Sequence, residues 1–523
     1  MTRATDVLIV GAGPTGLMLA LWLARLGVNL RIIDKTSAPG TTSRALVMHA
    51  RTLEFYRQLG IDRTALERGI PFAAVNLWAR GEHAGRVAIG DIGEGESPFP
   101  YMLILPQDRQ EELLIEALDE LGVTVERDTQ LVSFEDHGTG ITAQLATHDS
   151  FERIDCGWIA GCDGAHSTVR ETLNLAFPGA TYKHVFYVAD VQARGPTVNG
   201  ELNLALDESD LLAFFPLPGG NNVRLIGTVK PEAEAEDAHE LEWKDVSSKA
   251  MEHVRLEVDH VNWFSTYHVH HRVVEHFRRG RAFVLGDAAH VHSPVGAQGM
   301  NTGLGDAVNL AWKLAMVIRR RAPESLLDTY ESERIAFARR LVATTDRAFT
   351  FVNNDGPIAR FVRLDIVPRL LPAAFTNETA RRFFFRTISQ IEIEYRDSPL
   401  SAGRTGGVHG GDRLPWVPDN FTPLQSLEWQ AHVYGAARDG LAEACARLGL
   451  ALHTLPWSDA AEHHGLARDA LYLVRPDGYV ALADADADPR TLEKYWDERE
   501  LVLVLDRDIT QRMSSPSLGR GPG

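Results

Sequence analysis

Hydrophobic and polar positions alternate in blocks along the first 180 residues, and each block predicts one element. Residues 7–10 form a short, continuous apolar run, which is typical of a strand buried on both faces of a sheet. An apolar helix is predicted over 17–26 and a second strand over 30–33. Helical patterns follow at 50–59 and 107–121, and a strand pattern at 141–145. This alternation predicts an α/β fold built on a parallel sheet.

The pattern changes after about residue 180. Short alternating runs, such as 211–217 and 222–229, predict an antiparallel sheet. A buried strand returns at 282–285, and helical patterns extend from 303 to 351. A stretch rich in Gly, Pro and Arg begins near 398 and predicts a linker before a small terminal α/β unit.

A glycine-rich turn, GAGPTG at 11–16, joins the first strand to the first helix. Gly11 permits a tight turn, Gly13 lets the backbone approach a pyrophosphate, and Gly16 lets the helix pack closely on the strand. The helix N-terminus offers free N–H groups to phosphates. Asp34 follows the second strand, where its carboxylate can accept hydrogen bonds from an adenosine ribose. The arrangement predicts a dinucleotide site.

Charge and composition exclude several classes of function. The net charge is −18, from 53 Lys and Arg against 71 Asp and Glu, which argues against a nucleic-acid partner. No apolar run near the N-terminus reaches the ~20 residues that cross a membrane, and the first strand begins too early to leave room for a signal peptide. The cysteines Cys156, Cys162 and Cys445 form no CxxC pattern, so we expect reduced thiols, no metal site and a cytoplasmic location.

Two further motifs place a strand before a loop and a helix. The first reads DGAHSTVR over 163–170; the second reads GDAAH over 286–290 and continues to GMNTG at 299–303. A carboxylate at a strand end can bind a ribityl hydroxyl, and loop N–H groups can face an electron-rich ring. Together with TSRAL at 42–46 and LPQDR at 105–109, these motifs resemble, over residues 1–390, the FAD-dependent aromatic hydroxylases. These are single-component flavoprotein monooxygenases typified by p-hydroxybenzoate and phenol hydroxylases.

The resemblance implies an α/β fold with three parts. A Rossmann-like FAD-binding domain of the glutathione-reductase type is expected over 1–180 and 270–395, with an inserted mixed β-sheet substrate domain over 181–269. LVRPDGYV at 473–480 is similar to the thioredoxin-like C-terminal domain of the branch that hydroxylates phenols and aromatic polyketides. That domain is expected over 412–510, after a linker at 396–411 and before a disordered tail at 511–523. Because it lacks CxxC, we expect it to be redox-inert and to serve packing or oligomerisation.

The resemblance also implies the chemistry. The expected enzyme is an FAD-dependent monooxygenase that consumes NADPH or NADH and O2. It hydroxylates a phenolic or polycyclic polyketide-like aromatic substrate through a flavin C4a-hydroperoxide. Both nicotinamide donors stay open, because this family has no second Rossmann domain for that cofactor. A homodimer is expected from the family.

Family roles carry over to the positions that match its motifs. The pyrophosphate is assigned to Gly11, Gly13 and Gly16, and the adenosine ribose to Asp34. Asp163 resembles an acid near the pyrophosphate that is linked to the handling of FAD and NAD(P)H. Its alternative role is to cap the helix that follows.

The flavin end of the cofactor is assigned to a second set of residues. Arg44 and Gln107 are expected to contact the nucleotide portion of the flavin, and Asp287 the ribityl chain. The residues expected to line the isoalloxazine ring are Pro294, Gly299, Met300 and Asn301.

The substrate side has no motif of its own. His49, close in sequence to Arg44, is the first choice for contact with a substrate phenol, and Arg224 and Tyr267 are weaker choices. The alternative for His49 is that it caps the adjacent helix or packs between strands. Four histidines cluster at 268, 270, 271 and 276. Because His268 and His270 lie on one face of a strand and no carboxylate pattern accompanies them, a solvated or core strand is favoured over a metal site.

Three other functions remain open on the same motifs. An antibiotic-inactivating or Baeyer–Villiger enzyme would act on a ketone with the same scaffold. A flavin reductase would not use O2 productively. A non-catalytic flavin-binding module is the last alternative.

Overall fold

The computed structural model describes residues 5–40, 45–148, 150–206, 211–228, 242–246, 249–293, 295–352 and 362–503. The chain divides into two compact units, Met1–Trp312 with Tyr330–Ile393, and Lys313–Thr329 with Glu394–Gly523. Arg44, Pro294 and the predicted tail at 511–523 lie outside the described residues. Within the described ranges, no helix is both long and apolar enough to span a membrane.

The strands of the first unit, in chain order, are β1 (Thr5–Val10), β2 (Leu30–Ile33), β3 (Val47–Met48), β4 (Ile70–Pro71), β5 (Ala74–Ala79), β6 (Glu82–Ala88), β7 (Leu103–Ile104), β8 (Gln130–Asp136), β9 (Ile141–Ala146), β10 (Phe151–Gly161), β11 (Gly179–Arg194), β12 (Leu202–Leu206), β13 (Leu211–Pro216), β14 (Asn222–Thr228), β15 (Glu257–Val273), β16 (Arg278–Arg279), β17 (Ala282–Val284) and β18 (His290–Val291).

The helices that begin before residue 393 are α1 (Pro14–Arg25), α2 (Ala50–Leu59), α3 (Asp62–Arg68), α4 (Gln107–Glu120), α5 (Thr168–Thr172), α6 (Lys249–His253), α7 (Gln298–Ile318), α8 (Asp328–Val352), α9 (Val367–Ala374) and α10 (Glu378–Ile388). Short 3₁₀ turns cover Trp243–Asp245, Gly286–Ala288, Val295–Ala297 and Glu324–Leu327, and a π turn covers Val362–Ile366.

A parallel sheet forms the centre of the first unit, with the strand order β16-β17-β10-β1-β2. Strands β17, β10, β1 and β2 run parallel, β9 pairs antiparallel with β10, and β8 pairs antiparallel with β9. Val10 lies opposite both Ile33 and Gly161, and Gly161 lies opposite Val284. The carboxyl ends of the parallel strands are therefore level, so the loops that follow them meet at one edge.

A second sheet has the order β18-β15-β11-β14-β13-β12-β5-β6. It is wider than the predicted substrate domain at 181–269, because β12 pairs in parallel with β5, more than 100 residues earlier, and β15 continues to Val273. Tyr187, Ala189 and Leu225 point to one face, where they form a buried cluster with Met251 of α6. That face is the core of the substrate sheet, and the opposite face carries Asp190 and Arg224.

The second unit contains the strands β19 (Ala402–Thr405), β20 (Val408–His409), β21 (Gln430–Tyr434), β22 (Ala451–Leu455), β23 (Leu471–Val474) and β24 (Val480–Asp484). Its later helices are α11 (Leu441–Leu448), α12 (Asp459–His463) and α13 (Pro489–Glu498), with 3₁₀ turns at Pro418–Asn420 and Pro423–Gln425. The strand order is β20-β19-β24-β23-β21-β22.

The predicted linker at 396–411 is wrong in part, because it contains β19 and β20. Ala402 lies opposite Leu482 in a parallel pairing of β19 with β24, so the stretch belongs to the sheet of the second unit. These strands were missed because each is too short to show an alternating pattern, and because they lie in a stretch rich in Gly, Pro and Arg.

Candidate active site

The loops after the parallel strands bring the predicted motifs together. Asp34 follows β2, Gly11 follows β1, Asp163 follows β10 and Asp287 follows β17. Because these strands end level with one another, residues more than 250 positions apart share one edge of the sheet. This edge is where α/β sheets bind their ligands.

The glycine turn has the geometry that its sequence predicts. Gly11 has φ +101°, and a Cβ there would lie 2.3 Å from the carbonyl oxygen of Cys162. A Cβ at Gly16 would lie 2.0 Å from the carbonyl oxygen of Gly11. At Gly13 the reverse holds: no atom of the described chain lies within 4 Å of an added Cβ. The open side at Gly13, next to the N-terminus of α1, fits the close approach of a pyrophosphate.

A hydrogen bond of Asp34 links the end of β2 to the glycine turn at 11–16. Its Oδ2 accepts a hydrogen bond from the Ala12 N–H at 2.7 Å, and its Oδ1 accepts one from the Thr36 hydroxyl at 2.7 Å. A carboxylate has about four acceptor positions, so it can still accept from a ribose hydroxyl.

The contacts of Asp163 are compatible with both predicted roles, as an acid near the pyrophosphate and as a cap of the following helix. Its Oδ2 accepts from the N–H of Val169 in α5 at 3.2 Å, although the N-cap of that helix is Ser167. Its Oδ1 is buried and has no hydrogen-bond partner in the described part of the chain. Burial raises the pKa of Asp163 above the usual range of a carboxyl group. An unpaired buried oxygen at this edge fits a donor supplied by a cofactor.

Arg170 connects the motif at 163–170 to the motif at 286–290, and sequence reasoning missed this role. Its guanidinium donates to the carbonyl oxygen of Ala165 at 2.7 Å and to that of Ala288 at 3.1 Å. It also lies over the Phe177 ring, 4.3 Å from the centroid. Its position at the end of the 163–170 motif was the available sequence signal.

A buried ion network lies beneath Asp287. Asp287 itself is exposed on the turn after β17, as a ligand-binding carboxylate must be. The Oδ2 of Asp306 accepts from the Gly286 N–H at 3.1 Å and lies 2.7 Å from Nε2 of His290, while Oδ1 accepts from Nε of Arg334 at 2.6 Å. Burial alone would raise the pKa of Asp306, but Arg334 and His290 outweigh it and lower that pKa. The network fixes the turn that carries Asp287.

The remaining predicted cofactor residues lie around the start of α7 and α4. Gly299 and Met300 are half-buried in the first turn of α7. Asn301 is buried, and its amide donates to the carbonyl oxygens of Val47 and Ala297 at 2.9 and 3.0 Å. Gln107 begins α4, and its backbone N–H donates to the Ala45 carbonyl oxygen, directly after the segment 41–44.

His49 is fully buried against the loop before α7. Its Nε2 lies 3.1 Å from the carbonyl oxygen of Gly296 and 3.1 Å from that of Ala297. The residue occupies the N-cap position of α2, but its side chain makes no capping hydrogen bond. This geometry favours a role in holding the loop, and contact with a substrate stays a prediction.

Arg224 and Tyr267 both lie on the substrate sheet. Arg224 is 2% exposed and forms a bidentate pair with Asp190, with both N–O distances 2.7 Å; it also donates to the Ala45 carbonyl oxygen at 3.3 Å. Tyr267 packs against Phe186, with ring centroids 6.0 Å apart. Asp190 was missed from sequence, since only the strand register reveals that it lies opposite Arg224.

We call the sheet face that carries Arg224 and Asp190 the chamber face. Direct cross-strand partners share a face, and residues alternate between faces along each strand. The half-buried apolar side chains on this face include Val75, Leu202, Leu204, Ala213, Phe215, Ile226, Trp263 and Tyr267. They form a broad apolar wall across the strands from β15 to β5.

Buried neutral histidines predict how stability changes with pH. Burial lowers the pKa of His49 and of His292 to about 4, and that of His432 to about 3. The unfolded chain binds protons at these sites below pH ~6.5, while the folded chain does not, so stability falls as the pH falls. Between pH 7 and pH 5 we expect a loss of about 2 kcal/mol per buried imidazole.

Urea unfolding of the apoprotein at several pH values measures this loss. His432→Gln provides the control, since it should flatten the slope by one imidazole. A free energy of unfolding that stays constant from pH 7 to pH 5 would contradict the prediction.

Comparison with known proteins agrees with this geometry. A family model described as an FAD binding domain matches residues 4–345. The chain is 34% identical over 510 residues to 6-methylpretetramide 4-monooxygenase from Streptomyces rimosus, covering 91% of this chain and 90% of that protein. It is 30% identical over 503 residues to rifampicin monooxygenase from Streptomyces venezuelae, covering 92% and 96%.

A solved structure shares the fold over nearly the whole chain. The ternary complex of aklavinone-11 hydroxylase with FAD and aklavinone superposes with a TM-score of 0.77 at 25% identity, covering 96% of this chain and all of that one. The predicted α/β fold and the predicted cofactor are confirmed. The chain belongs to the FAD-binding-domain family of flavin-dependent aromatic monooxygenases.

Proposed function

We propose that this enzyme hydroxylates a polycyclic phenolic compound that lies against the chamber face. The observation that carries the proposal is the width of the apolar wall. Its side chains come from five of the six neighbouring strands from β15 to β5, and these six strands span about 24 Å at ~4.8 Å per strand. A single phenol ring would cover only a small part of it and leave apolar surface in contact with water, whereas fused rings would cover more.

The wall also lies next to the cofactor segments. Arg224 reaches the Ala45 carbonyl oxygen, and Phe215 contacts Phe72, whose ring centroid is 6.1 Å away. A substrate on this wall is therefore close to the segments that the family uses to contact the flavin. Asp190, whose side chain is 21% exposed, and Tyr267 are the candidate acceptors for a phenolic hydroxyl on this face.

The residues of this chain would bind the cofactor, orient the substrate and shield the reacting groups from water. Bound FAD would supply the redox chemistry through which NADPH or NADH activates O2. The turn at Gly13 would hold the pyrophosphate, Asp34 the adenosine ribose and Asp287 the ribityl chain. The N–H groups at the start of α7 would face the isoalloxazine ring, and the apolar wall would exclude water from the substrate ring.

Three further parts of the proposal concern the whole molecule. A homodimer is supported by the family resemblance. A cytoplasmic location is supported by the lack of a CxxC pattern among the three cysteines. A thioredoxin-like second unit is supported by the order β24-β23-β21-β22, in which β23 runs antiparallel to both neighbours. The helix α11 joins the parallel strands β21 and β22.

Oxidation of an antibiotic is the second candidate, favoured by the similarity to rifampicin monooxygenase. The test is to incubate the FAD-loaded enzyme with NADPH or NADH and a panel of simple phenols, fused-ring phenols, cyclic ketones and rifampicin. We expect one O2 consumed and one oxygen atom gained per molecule of fused-ring phenol. Turnover of simple phenols alone would overturn the polycyclic assignment. Oxidation of NADPH in which O2 is reduced to hydrogen peroxide and no compound of the panel gains oxygen would indicate a reductase.

Asp287→Ala is expected to weaken FAD binding by about 10- to 100-fold, the value of one hydrogen bond to a charged group. The flavin-to-protein absorbance ratio of the purified protein and titration of the apoprotein with FAD measure this change. Glu120→Ala, which also removes an exposed carboxylate, is the control and should bind FAD normally. Full occupancy in Asp287→Ala would refute the assignment.

A further inference from the structure

The chain enters helix α7 through two consecutive residues in the left-handed region. Gly296 has φ +76° and Ala297 has φ +52°. Glycine adopts this conformation freely, but alanine does so at an energetic cost, so its surroundings must hold it there. Gly299 and Met300 follow in the first turn of α7, where N–H groups have no partner within the helix.

His49 contacts both residues of this turn. Its Nε2 is 3.1 Å from each of the two carbonyl oxygens, of Gly296 and of Ala297. Because carbonyl oxygens only accept hydrogen bonds, Nε2 carries the hydrogen and donates it to both. In a trans peptide the C=O and the next N–H point in opposite directions, so fixing these carbonyls fixes the peptide planes that lead into α7.

Asn301 strengthens the same contact. Its Oδ1 accepts from the backbone N–H of His49 at 3.0 Å, and its Nδ2 donates to the Ala297 carbonyl oxygen at 3.0 Å. The His49 ring is fully buried, and its Nδ1 has no hydrogen-bond partner within the described residues. The only polar contacts of the ring in the described chain are therefore those with the turn.

We propose that His49 is a positioning residue, whose Nε2–H holds Gly296 and Ala297 in the left-handed turn and thereby aims the first N–H groups of α7 at the isoalloxazine ring. Donors fixed in this way stabilise negative charge on the reduced ring without having to reorient. The inference rests on the proposed function only in naming the isoalloxazine ring as the group that the helix faces. That His49 holds the turn follows from contacts within the protein alone.

His49→Phe and His49→Gln test the two parts separately. Phenylalanine fills the space but has no donor, whereas the glutamine amide can donate near the position of Nε2. In the apoprotein we expect the amides of 299–303 to exchange hydrogen about tenfold faster in His49→Phe, with near-normal exchange in His49→Gln. In the FAD-loaded protein we expect a more negative flavin midpoint potential in His49→Phe only.

If the amides of 299–303 exchange at the wild-type rate in His49→Phe, His49 does not hold the turn. If they exchange faster but the flavin midpoint potential is unchanged, the first N–H groups of α7 do not stabilise charge on the flavin. Equal loss of turnover in both variants, with normal exchange and potential, would assign His49 to substrate contact. If His49→Phe does not fold, His49→Asn replaces it, because its shorter amide does not reach the carbonyls. Apoprotein exchange needs neither substrate nor FAD, so failure of the proposed function would leave this part of the result intact.

Discussion

Gly13→Val is expected to yield a folded protein that purifies almost without FAD. The backbone at Gly13 has φ −77°, which any residue adopts, and an added Cβ meets no atom of the described chain within 4 Å. The side chain can therefore be accommodated by the protein but occupies the space where the pyrophosphate approaches. Loss of two charge-assisted hydrogen bonds, at ~1.5–3 kcal/mol each, would weaken FAD binding at least ~100-fold.

Titration of the apoprotein with FAD measures the affinity, and thermal unfolding of the apoprotein checks the fold. Gly11→Ala is the informative contrast. There the φ of +101° and the carbonyl oxygen of Cys162 both oppose a side chain, so the fold itself should be destabilised. A Gly13→Val protein that retains normal FAD would show that the pyrophosphate does not approach at this turn.

Asp306→Ala is expected to cause the largest loss of stability. Asp306, His290 and Arg334 are only 1–2% exposed, and removal of the carboxylate leaves the Arg334 guanidinium buried without its counter-charge. Breaking a buried pair in this way costs about 3–5 kcal/mol. The Gly286 N–H also loses its acceptor, so the turn that carries Asp287 should be less well fixed and FAD binding should weaken as well.

Urea unfolding of the apoprotein measures the cost. The double variant Asp306→Leu with Arg334→Met should recover part of the stability, because it removes both charges. Arg80→Ala breaks an exposed pair with Asp365 and should change the free energy of unfolding by less than about 1 kcal/mol. If Asp306→Ala were no less stable than Arg80→Ala, the network would have no structural role.

Local signals in the sequence were enough to predict the nucleotide edge of the fold. The glycine turn, α1, β2 and Asp34 lie within thirty residues, and each conformation depends on neighbours in the chain. The positions of Asp163 and Asp287 at strand ends followed in the same way, because a strand–loop–helix pattern places the loop residue at the sheet edge. Their roles, and those of Arg44 and Pro294, stay predictions.

Contacts between distant segments could not be predicted in this way. Arg170 bonds a carbonyl 118 residues away, and Arg224 pairs with Asp190 across strands whose register no local pattern reveals. The burial of His49 depends on a loop 247 residues later in the chain. Each of these contacts is fixed by topology, which a single sequence specifies only indirectly.

The pairing of β19 with β24 determines where this protein can be cut. A chain divided within 402–411, inside the stretch where composition places a boundary, would break β19 or separate it from its partner. The backbone of Leu482 and Ala483 would then lie on an uncovered sheet edge, the kind of surface through which chains associate into aggregates. A fragment that contains the Glu394–Gly523 part of the second unit should therefore begin before Ser398, so that Ala402 retains its place in the sheet.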